Sequence, residues 1–326
     1  MNLSTNSMVI KMIDRIAQVL LQKDNFIIIP HRNPDGDCLG SAVGLAYGLR
    51  SIGKKAYISF PNPPGDRLLF MWDDSLATPE GFACDVCIAV DVASTYMMAQ
   101  LEDEIFNNSP CTVCLDHHGT NVGFAQYNFV DGEAAACGEV IYRLLEHMGV
   151  DIDVKIASAL YGAIASDTGS FRYSNTTGDT HRITSELIDA GIDAAGIMKR
   201  LFETKKQNEL AAMAGIVANM EYYFDGKVCL TYVDSELLEK YGVTFDGIDE
   251  YVGIPRTVEG VEVGVFLKCY GEKETKVSLR SNEYVNVAEL AASIGGGGHM
   301  RAAGVTVEDN LDNTKKKILA LIKTVL

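Results

Sequence analysis

The stretch His31-Arg32-Asn33-Pro34-Asp35-Gly36-Asp37 decides how this chain is organised. It follows the apolar run Phe26-Ile27-Ile28-Ile29-Pro30, which predicts a buried strand, and it precedes a run of small and apolar residues from Cys38 that predicts a helix. One imidazole and two carboxylates therefore lie between the C-terminal end of a strand and a helix. In an open α/β sheet this is the edge where ligands bind. The alternative is an Asn-Pro-Asp-Gly turn with solvated carboxylates, which explains every residue except His31.

Strand patterns alternate with helix patterns along the first half of the chain. Besides the first strand, strands are predicted at 56–60, 84–90 and 112–115, and helices at 10–21, 38–51, 97–105, 138–148, 154–165 and 179–201. This alternation predicts a doubly wound α/β fold with a parallel sheet. Because parallel strands end along one edge, polar residues at those ends can converge.

Further candidate site residues stand at the ends of these elements. Asp91 and the run Asp116-His117-His118 each follow a predicted strand, and Asp167 follows a predicted helix. Taken singly, Asp91 could cap a helix and Asp167 could be a turn residue. An Asp-His-His run directly after a strand is much rarer by chance, and packing in a core does not require it.

The candidate residues form a set of five carboxylates and three imidazoles, namely His31, Asp35, Asp37, Asp91, Asp116, His117, His118 and Asp167. Five neighbouring carboxylates cannot all stay ionised without cations. Oxygen and imidazole donors with few thiolates suit Mn²⁺, Mg²⁺, Fe²⁺ or Co²⁺. One carboxylate shared between two ions about 3.5–4 Å apart would make a two-metal site, which suits the hydrolysis of phosphate esters or anhydrides.

The second half of the chain has a different character. After a connecting helix at 203–220, it predicts a strand at 227–233, a hairpin of 260–270 and 275–281, a helix at 287–294, the run Gly295–His299, a strand at 303–307 and a closing helix. These elements predict a smaller α+β domain. We therefore expect a catalytic domain at 1–195, a helical linker at 196–218 and a second domain at 219–326.

The composition limits the classes of partner. A net charge of −16 argues against binding to long nucleic acid, including long duplex DNA, but not against a short anionic ligand. The sequence contains no run of eighteen apolar residues, the length that predicts a membrane helix, so no membrane association is expected. The N-terminus lacks the apolar core of a signal peptide, so we expect a cytoplasmic protein.

Two pairs of cysteines have the spacing of zinc half-sites, Cys84-x-x-Cys87 and Cys111-x-x-Cys114. Both pairs lie inside predicted strands, where residues three apart point to opposite faces of the sheet. We therefore expect buried free thiols rather than a zinc site. A disulfide framework is not expected in a cytoplasmic chain.

Five segments, in order along the chain, resemble motifs of the DHH phosphoesterase superfamily and of its associated C-terminal domain: His31-x-x-x-Asp35-x-Asp37, Asp91, Asp116-His117-His118, Ser166-Asp167-Thr168-Gly169, and Gly295–His299 with Ala302-Ala303-Gly304. The resemblance spans nearly the whole chain. Within the superfamily it is strongest to the nanoRNase/pAp-phosphatase group of oligoribonucleases.

The resemblance implies an architecture and a set of cofactors. It implies a DHH domain joined by a helical linker to the smaller domain, with the active site in the cleft. It also implies two bound divalent ions, with Mn²⁺ expected first and Mg²⁺, Co²⁺ or Fe²⁺ as alternatives. The ligands it implies for the first ion are His31, Asp35 and Asp91. For the second ion they are Asp37, Asp91, His117 and Asp167, so that Asp91 bridges.

The resemblance also implies roles for residues that do not bind metal. His118 resembles the histidine that faces the substrate phosphate, and Asp116 is expected to orient a histidine as its catalytic partner. Substrate phosphate is expected to be held by the residues Arg280, Gly296, Gly297, Gly298 and His299. Backbone N–H groups without side chains around them bind anions at close range, which agrees with this expectation.

The function implied is hydrolysis of short oligoribonucleotides to mononucleotides, with removal of a phosphate from pAp as the same chemistry on a smaller substrate. The partners implied are short RNA oligonucleotides or nucleotide phosphates. A phosphodiesterase for pApA or a cyclic dinucleotide and a non-catalytic nucleotide-binding protein stay open as alternatives. The sequence does not decide between a monomer and a homodimer.

Overall fold

The computed structural model describes the backbone of residues 3–326 and the side chains from residue 12 onward, apart from those of residues 246 and 299. The chain divides into two compact units, Met1–Thr204 and Lys205–Leu326. The division falls within the predicted linker. The predicted domain bounds at 195 and 219 stay predictions.

The first unit is built from the strands β1 (Phe26–Pro30), β2 (Ala56–Ile58), β3 (Val86–Val90), β4 (Thr112–Asp116) and β5 (Tyr127–Val130). Its helices are α1 (Leu3–Gln22), α2 (Gly36–Ser51), α3 (Cys137–His147), α4 (Val154–Asp167), α5 (Gly178–Asp189) and α6 (Ala194–Met198). Short 3₁₀ segments occupy Asp66–Met71, Asp74–Leu76 and Thr95–Met98, and π-helical turns occupy Glu102–Phe106 and Lys199–Glu203.

The five strands form one parallel sheet in the order β2-β1-β3-β4-β5. Alternate residues of each central strand enter different cores, because successive side chains of a strand point to opposite faces. Ile28 packs in the core with the helices, whereas Ile27 and Ile29 pack on the other face with Met98 and Phe106. The predicted parallel α/β fold is therefore confirmed.

A stripe of glycines brings α2 against α4. Gly36, Gly40 and Gly44 recur every four residues along α2, and such residues share one face of a helix. A Cβ atom on Gly40 would lie 2.5 Å from the carbonyl oxygen of Ala159, and one on Gly36 would lie 2.4 Å from the Ser166 hydroxyl. The close contact fixes the position of the two helices whose ends carry the candidate site residues Asp35, Asp37 and Asp167.

Some predicted elements differ from the structure. The helix predicted at 97–105 is instead the 3₁₀ segment Thr95–Met98 and a π-helical turn. The helix predicted at 179–201 is interrupted after Asp189, because Gly191 has a left-handed backbone (φ 90°) and Asp193 caps a new helix. Strand β5 was not predicted.

The second unit contains β6 (Glu221–Tyr223), β7 (Val228–Val233), β8 (Val263–Cys269), β9 (Thr275–Ser281), β10 (Gly297–His299) and β11 (Ala302–Val307). Its helices are α7 (Gln207–Ala218), α8 (Ser235–Tyr241), α9 (Val287–Ala292) and α10 (Leu311–Ile322), with a 3₁₀ segment at Asp246–Thr257. The strands form a mixed sheet in the order β10-β11-β9-β8-β7-β6, in which only β7 and β8 are parallel. Helices cover both faces, which confirms the predicted α+β character.

The residues from 3 to 326 include no helix that is long and apolar enough to cross a membrane.

Candidate metal centre

Three neighbouring strands of the first unit end at the same edge with polar side chains. Pro30 of β1 lies opposite Val90 of β3, and Val90 lies opposite Leu115 of β4. His31 and Asp91 therefore follow strand ends that are level with each other, and Asp116 is the last residue of β4. The convergence expected at the edge of a parallel sheet is present.

Two helix ends add three further carboxylates to this edge. Asp35 is the N-cap of α2, and its Oδ1 atom accepts a hydrogen bond of 3.0 Å from the Cys38 N–H. Asp37 lies in the first turn of the same helix, and Asp167 is the last residue of α4. One oxygen of Asp35 therefore has the local hydrogen bond that the turn alternative predicted. The other oxygen, Oδ2, lies 3.8 Å from Nε2 of His31.

Asp37 is held by a ring of donors and is fully buried. The backbone N–H groups of Cys137 and Gly138 donate to its carboxylate at 2.6 and 2.9 Å, and the Ser41 hydroxyl donates at 2.9 Å. The two N–H groups belong to the first turn of α3, where the helix dipole favours a negative charge. Asp37 therefore has a fixed orientation, with Oδ2 also 3.7 Å from Nε2 of His117.

Asp91 occupies the centre of the cluster. Its Oδ2 atom lies 3.6 Å from Nε2 of His31, while its Oδ1 atom lies 3.5 Å from Nε2 of His117 and 3.6 Å from Nδ1 of His118. The side chain is buried, and Oδ1 has no hydrogen-bond donor. Buried carboxylate oxygens without a donor are costly, so the geometry fits a cation as the missing partner.

The backbone of Asp91 is also unusual, because its φ angle of 59° places it in the left-handed region. An L-residue other than glycine adopts this conformation at some cost, and such residues concentrate at functional sites. Asp91 does not cap a helix, since the next helical segment begins at Thr95 and Ser94 occupies its N-cap position. The alternative role considered for Asp91 is therefore wrong.

His117 points its Nε2 atom into the cluster. Its Nδ1 atom lies 3.3 Å from the carbonyl oxygen of Ala134, which fixes the ring from behind. Nε2 then lies 3.4 Å from Oδ2 of Asp167 as well as close to Asp37 and Asp91. A histidine with one nitrogen tied to a carbonyl and the other directed at carboxylates has the arrangement of a metal ligand.

His118 is oriented by Asp116 rather than by the central carboxylate. The distance from its Nδ1 atom to Oδ1 of Asp116 is 2.7 Å. Asn121 completes this arrangement, because its Nδ2 atom donates to Oδ2 of Asp116 at 2.7 Å and to the Val92 carbonyl at 3.0 Å. Asn121 was not among the residues predicted from the sequence, although it stands five residues after Asp116.

The ionisation of the cluster reflects its crowding. Burial and the neighbouring charge of Asp35 raise the pKa of Asp37 to about 7. Burial and the charge of Asp37 raise the pKa of Asp167 to about 7, and the same two causes raise the pKa of Asp91 well above its usual range. Divalent cations would relieve this repulsion, so the donor set and its electrostatics both fit a metal centre.

In contrast, the carboxyl group of Asp116 and the imidazole of His118 both have pKa values shifted in favour of their charged forms. Although burial opposes it, hydrogen bonds from His118 and Asn121 hold the pKa of Asp116 below its usual value. The hydrogen bond to Asp116 raises the pKa of His118. His118 is therefore biased toward the imidazolium form, which can donate to an anion.

The side chains fall into groups that could each hold an ion: His31 with Cys38 and Asp91, Asp91 with His117 and His118, and Asp37 with His117 and Asp167. Cys38 belongs to the first group because its Sγ atom lies within 4.8 Å of the ligand atoms of His31 and Asp91, and it also accepts the His31 N–H at 3.1 Å. Burial raises the pKa of the Cys38 thiol well above its usual value, and a protonated thiol is a poor ligand. The oxygen of Asp35 is the better third donor for a hard cation.

The two cysteine pairs with zinc-like spacing lie outside the candidate metal centre. Cys87, Cys111 and Cys114 are buried, and Cys84 is half-buried. Cys87 packs in the core on one face of the sheet and Cys111 in the core on the other. None of the groups of potential metal ligands among the described side chains includes these cysteines.

The residues predicted to hold substrate lie in the second unit. Arg280 of β9 pairs with Ala302 of β11, and Ala302 pairs in turn with His299 of β10. The side chain of His299 lies outside the described residues. The end of the glycine run, Gly297–His299, is an edge strand rather than a linker, because it pairs with β11. The two backbones are close there, since a Cβ atom on Gly298 would lie 2.5 Å from Cα of Ala303. The roles of Arg280, Gly296, Gly297, Gly298 and His299 stay predictions.

Comparison with known families agrees with the fold and the cluster. The model of the DHH family, N-terminal domain, matches residues 25–164, and the DHHA1 domain matches residues 225–326. Both β1 and the strand-end cluster up to His118 lie inside the first match. The chain belongs to the DHH family of phosphoesterases.

Relatives extend the likeness over almost the whole chain. It is 32% identical to the bifunctional oligoribonuclease and PAP phosphatase NrnA of Thermus thermophilus, over 94% of this chain and 92% of that protein. It is 27% identical to the protein of the same name from Bacillus subtilis, over 87% of this chain and 90% of that one. The crystal structure of an exopolyphosphatase-related protein from Bacteroides fragilis has a TM-score of 0.89, with 25% identity and coverage of 96% of both chains.

Proposed function

We propose that this chain is a metal-dependent phosphoesterase that hydrolyses short oligoribonucleotides to mononucleotides and removes a phosphate from pAp. The observation that carries the proposal is the placement of Asp91, whose two oxygens face different imidazoles, His31 on one side and His117 on the other. The names of the Thermus and Bacillus relatives supply the substrate class.

This placement supports the following assignment of ligands. His31, Asp35 and Asp91 hold one divalent ion, and Asp37, Asp91, His117 and Asp167 hold the other. Bound cations would activate the attacking water and neutralise charge on the phosphate. Oxygen and imidazole donors favour Mn²⁺ as the native ion, with Mg²⁺, Co²⁺ and Fe²⁺ as alternatives.

His118 and Asp116 act together on the substrate side. Asp116 keeps the His118 ring in one orientation and favours its charged form. His118 is 27% exposed at its side chain, against 14% for His117, so it is the more accessible of the two imidazoles. In this proposal it donates a hydrogen bond to an oxygen of the phosphate that reacts.

The central test is an activity and metal assay on Asp91→Asn. Because one side chain serves both ions, the variant should lose both from the purified protein and lose nearly all hydrolysis of a dinucleotide RNA, by about 10³-fold or more. The matched control is Asp189→Asn, an exposed aspartate at the end of α5. Near-normal turnover by Asp91→Asn would contradict the two-metal assignment.

A substrate panel tests the class of substrate. The full chain with Mn²⁺ is assayed on RNA of two to ten nucleotides, pAp, linear pApA, a cyclic dinucleotide and pyrophosphate. We expect the highest kcat/KM on RNA of two to four nucleotides, because the rate depends on positioning one short end of the substrate at the two-metal site. A higher value on pApA or a cyclic dinucleotide would favour the alternative phosphodiesterase, and no turnover of any of these compounds would favour a binding protein.

We further propose that Arg280, with Gly296, Gly297, Gly298 and His299, holds the end of the substrate that is not cleaved. A planar guanidinium suits phosphate recognition. Arg280→Ala should then impair turnover of RNA far more than turnover of a simple aryl phosphodiester. Lys276→Ala is the matched control, because it removes a cation from the same strand four residues earlier, on the same side of the sheet. Equal losses on both substrates would contradict this role.

A further inference from the structure

A second recess lies in the first unit, at the opposite ends of the two helices that carry the cluster. Its volume is about 290 Å³, at the lower end of the range for small-ligand pockets. It is lined by Tyr47 of α2 and by Val154 and Lys155 at the start of α4. Asp37 precedes Tyr47 by ten residues on α2, a rise of about 15 Å, so the recess is separate from the candidate metal centre.

Three aromatic side chains form its walls, Tyr47, Phe70 and Trp72, and all three are half-buried. The polar ends of two of them are fixed outside the stacking surface. The Tyr47 hydroxyl donates to Asp73 at 2.7 Å, and the Trp72 indole N–H donates to Asp74 at 2.8 Å. Rings held in this way are a platform against which a planar ligand can stack.

Two cations border the same recess, Lys155 and Arg200, and both side chains belong to exposed residues. Lys155 Nζ lies 5.2 Å from the centre of the Tyr47 ring, and the Arg200 guanidinium lies 5.4 Å from the centre of the Phe70 ring. Among the described side chains, neither cation has an ion pair or a side-chain hydrogen bond. Lys155 does act on an acidic neighbour at longer range, because hydrogen bonds from Tyr47 and Ser75 and then the charge of Lys155 lower the pKa of Asp73.

A third polar group completes the set. Asp193 lines the recess and caps α6, accepting the Gly196 N–H at 2.9 Å with Oδ1. Its other oxygen is suited to accept from a hydroxyl group, as acidic residues do for the ribose of bound nucleotides. The recess therefore combines stacking surface, two cations and one hydroxyl acceptor.

We propose that this recess binds a nucleoside monophosphate at a site distinct from the metal centre. The base stacks on the aromatic walls, the phosphate lies at Lys155 and Arg200, and the ribose faces Asp193. An inorganic phosphate would leave the rings unused, and an apolar ligand would leave the cations unused. The choice of a mononucleotide rests on the proposed function, which releases this class of product.

The chain supplies its own reporter for the test, because Trp72 is its single tryptophan. AMP is titrated into the full chain with Mn²⁺ while tryptophan fluorescence is followed. We expect a saturable change, and the same change in Asp91→Asn, because binding in the recess does not need the metal centre. Adenosine and inorganic phosphate, used separately, should each bind at least about tenfold more weakly than AMP.

Matched variants assign the signal to the recess. Lys155→Gln and Arg200→Gln should each raise the Kd for AMP about tenfold, the loss of one charge-assisted contact. Lys199→Gln removes the same charge from the residue beside Arg200, which does not line the recess, and should leave the Kd within twofold. All three variants should keep the wild-type turnover of an aryl phosphodiester.

The outcomes separate this proposal from the proposed function. No change in fluorescence at millimolar AMP, or an equal Kd in all three variants, would overturn the second site whatever the enzyme hydrolyses. A saturable change that depends on Lys155 and Arg200 would support the site even if the RNA panel showed no turnover. In that case only the proposed function would fail.

Discussion

Asn121 connects two parts of the cluster that are distant in sequence. One amide group donates both to Asp116 and to the carbonyl of Val92, the residue after Asp91, and its oxygen accepts the Gly123 N–H at 2.8 Å. The side chain thus fixes the carboxylate that orients His118 relative to the strand end that carries Asp91. It acts through other residues, so it is a positioning residue.

Asn121→Ala should therefore lower kcat/KM about 10- to 100-fold, the usual effect of removing a group that orients a catalytic or metal-binding side chain. The bound metal and the circular dichroism spectrum should change little, and the raised pKa of His118, measured by NMR, should fall because Asp116 is less firmly held. Asn108→Ala, which removes an exposed amide bonded to the Asp103 carbonyl, is the control. Activity within twofold of wild type would remove Asn121 from the site.

The raised pKa values of the carboxylates give the metal-free protein a predictable dependence on pH. Asp37 and Asp167 have a pKa of about 7 in the folded state, against about 4 when unfolded. The folded state therefore holds protons more tightly, which favours folding at low pH and disfavours it increasingly as pH rises from about 4 to about 7. The raised pKa of His118 adds a decline of the same sign, because the stability it contributes is lost as pH rises through that pKa.

We expect the Tm of the chelator-treated protein to fall between pH 5 and pH 8, and saturating Mn²⁺ to remove most of that fall by pairing the carboxylates. Differential scanning calorimetry measures both. Asp37→Asn should flatten the metal-free profile, whereas Asp189→Asn should not, which separates the cluster from the general negative charge of the chain. A Tm that rises over this range without metal would contradict the electrostatic account.

At the scale of elements, the contact between α2 and α4 has little spare room. A methyl group on Gly40 would meet the backbone oxygen of Ala159 at 2.5 Å and Cβ of Ala163 at 2.9 Å. Neither atom can rotate away, so the helices must separate. Such overpacking costs about 1–3 kcal/mol. Replacing a helical glycine by alanine gains about 1 kcal/mol, so the upper part of the range of costs exceeds the gain.

Gly40→Ala should lower the Tm by about 2–4 °C for each kcal/mol of net cost and weaken Mn²⁺ binding, because α2 carries Asp35 and Asp37 and α4 carries Asp167. Thermal unfolding and metal titration measure the two effects. Gly178→Ala is the control, since a Cβ atom there meets nothing within 4 Å. Equal Tm values for the two variants would show that the helices can adjust without cost.

The elements differ in how far the sequence could predict them. The strands before His31, Asp91 and Asp116 are buried on both faces, so their sequences are continuous apolar runs that indicate strands directly. Strand β5 is a half-buried edge strand with the sequence Tyr127-Asn128-Phe129-Val130, and so short a run has no clear period. The pattern of glycines at 36, 40 and 44 was present in the sequence, and it was a usable signal for close helix packing.

In the cluster, too, some features could be predicted from the sequence and others could not. Acidic and imidazole side chains at strand ends are visible in the sequence because no core requires them there. The N–H groups of Cys137 and Gly138 that hold Asp37 are backbone groups a hundred residues away, and no side-chain pattern reports them. Asn121 resembles an ordinary loop residue between Gly119 and Gly123 until the fold brings it against Val92.

At the scale of the whole molecule, we expect the net charge of −16 to limit the length of the substrate. A dinucleotide places its few charges at cations and donors, whereas a longer RNA adds phosphates that lie outside the site and face an acidic protein. Repulsion of that tail acts over a Debye length of about 10 Å at 0.1 M salt and about 3 Å at 1 M. It is therefore weakened by salt, while contacts at the buried cluster are screened much less.

The ratio of kcat/KM for a twenty-nucleotide RNA to that for a dinucleotide should consequently rise severalfold as KCl increases from low to high concentration at fixed Mn²⁺. This sign is opposite to that of proteins that bind long nucleic acid through basic surfaces, whose affinity falls with salt. The control is a twenty-nucleotide substrate with uncharged methylphosphonate linkages beyond the first three nucleotides, for which the ratio should hardly depend on salt. A ratio that falls with salt for the natural RNA would indicate a basic track for long chains, and with it an exonuclease of a different substrate class.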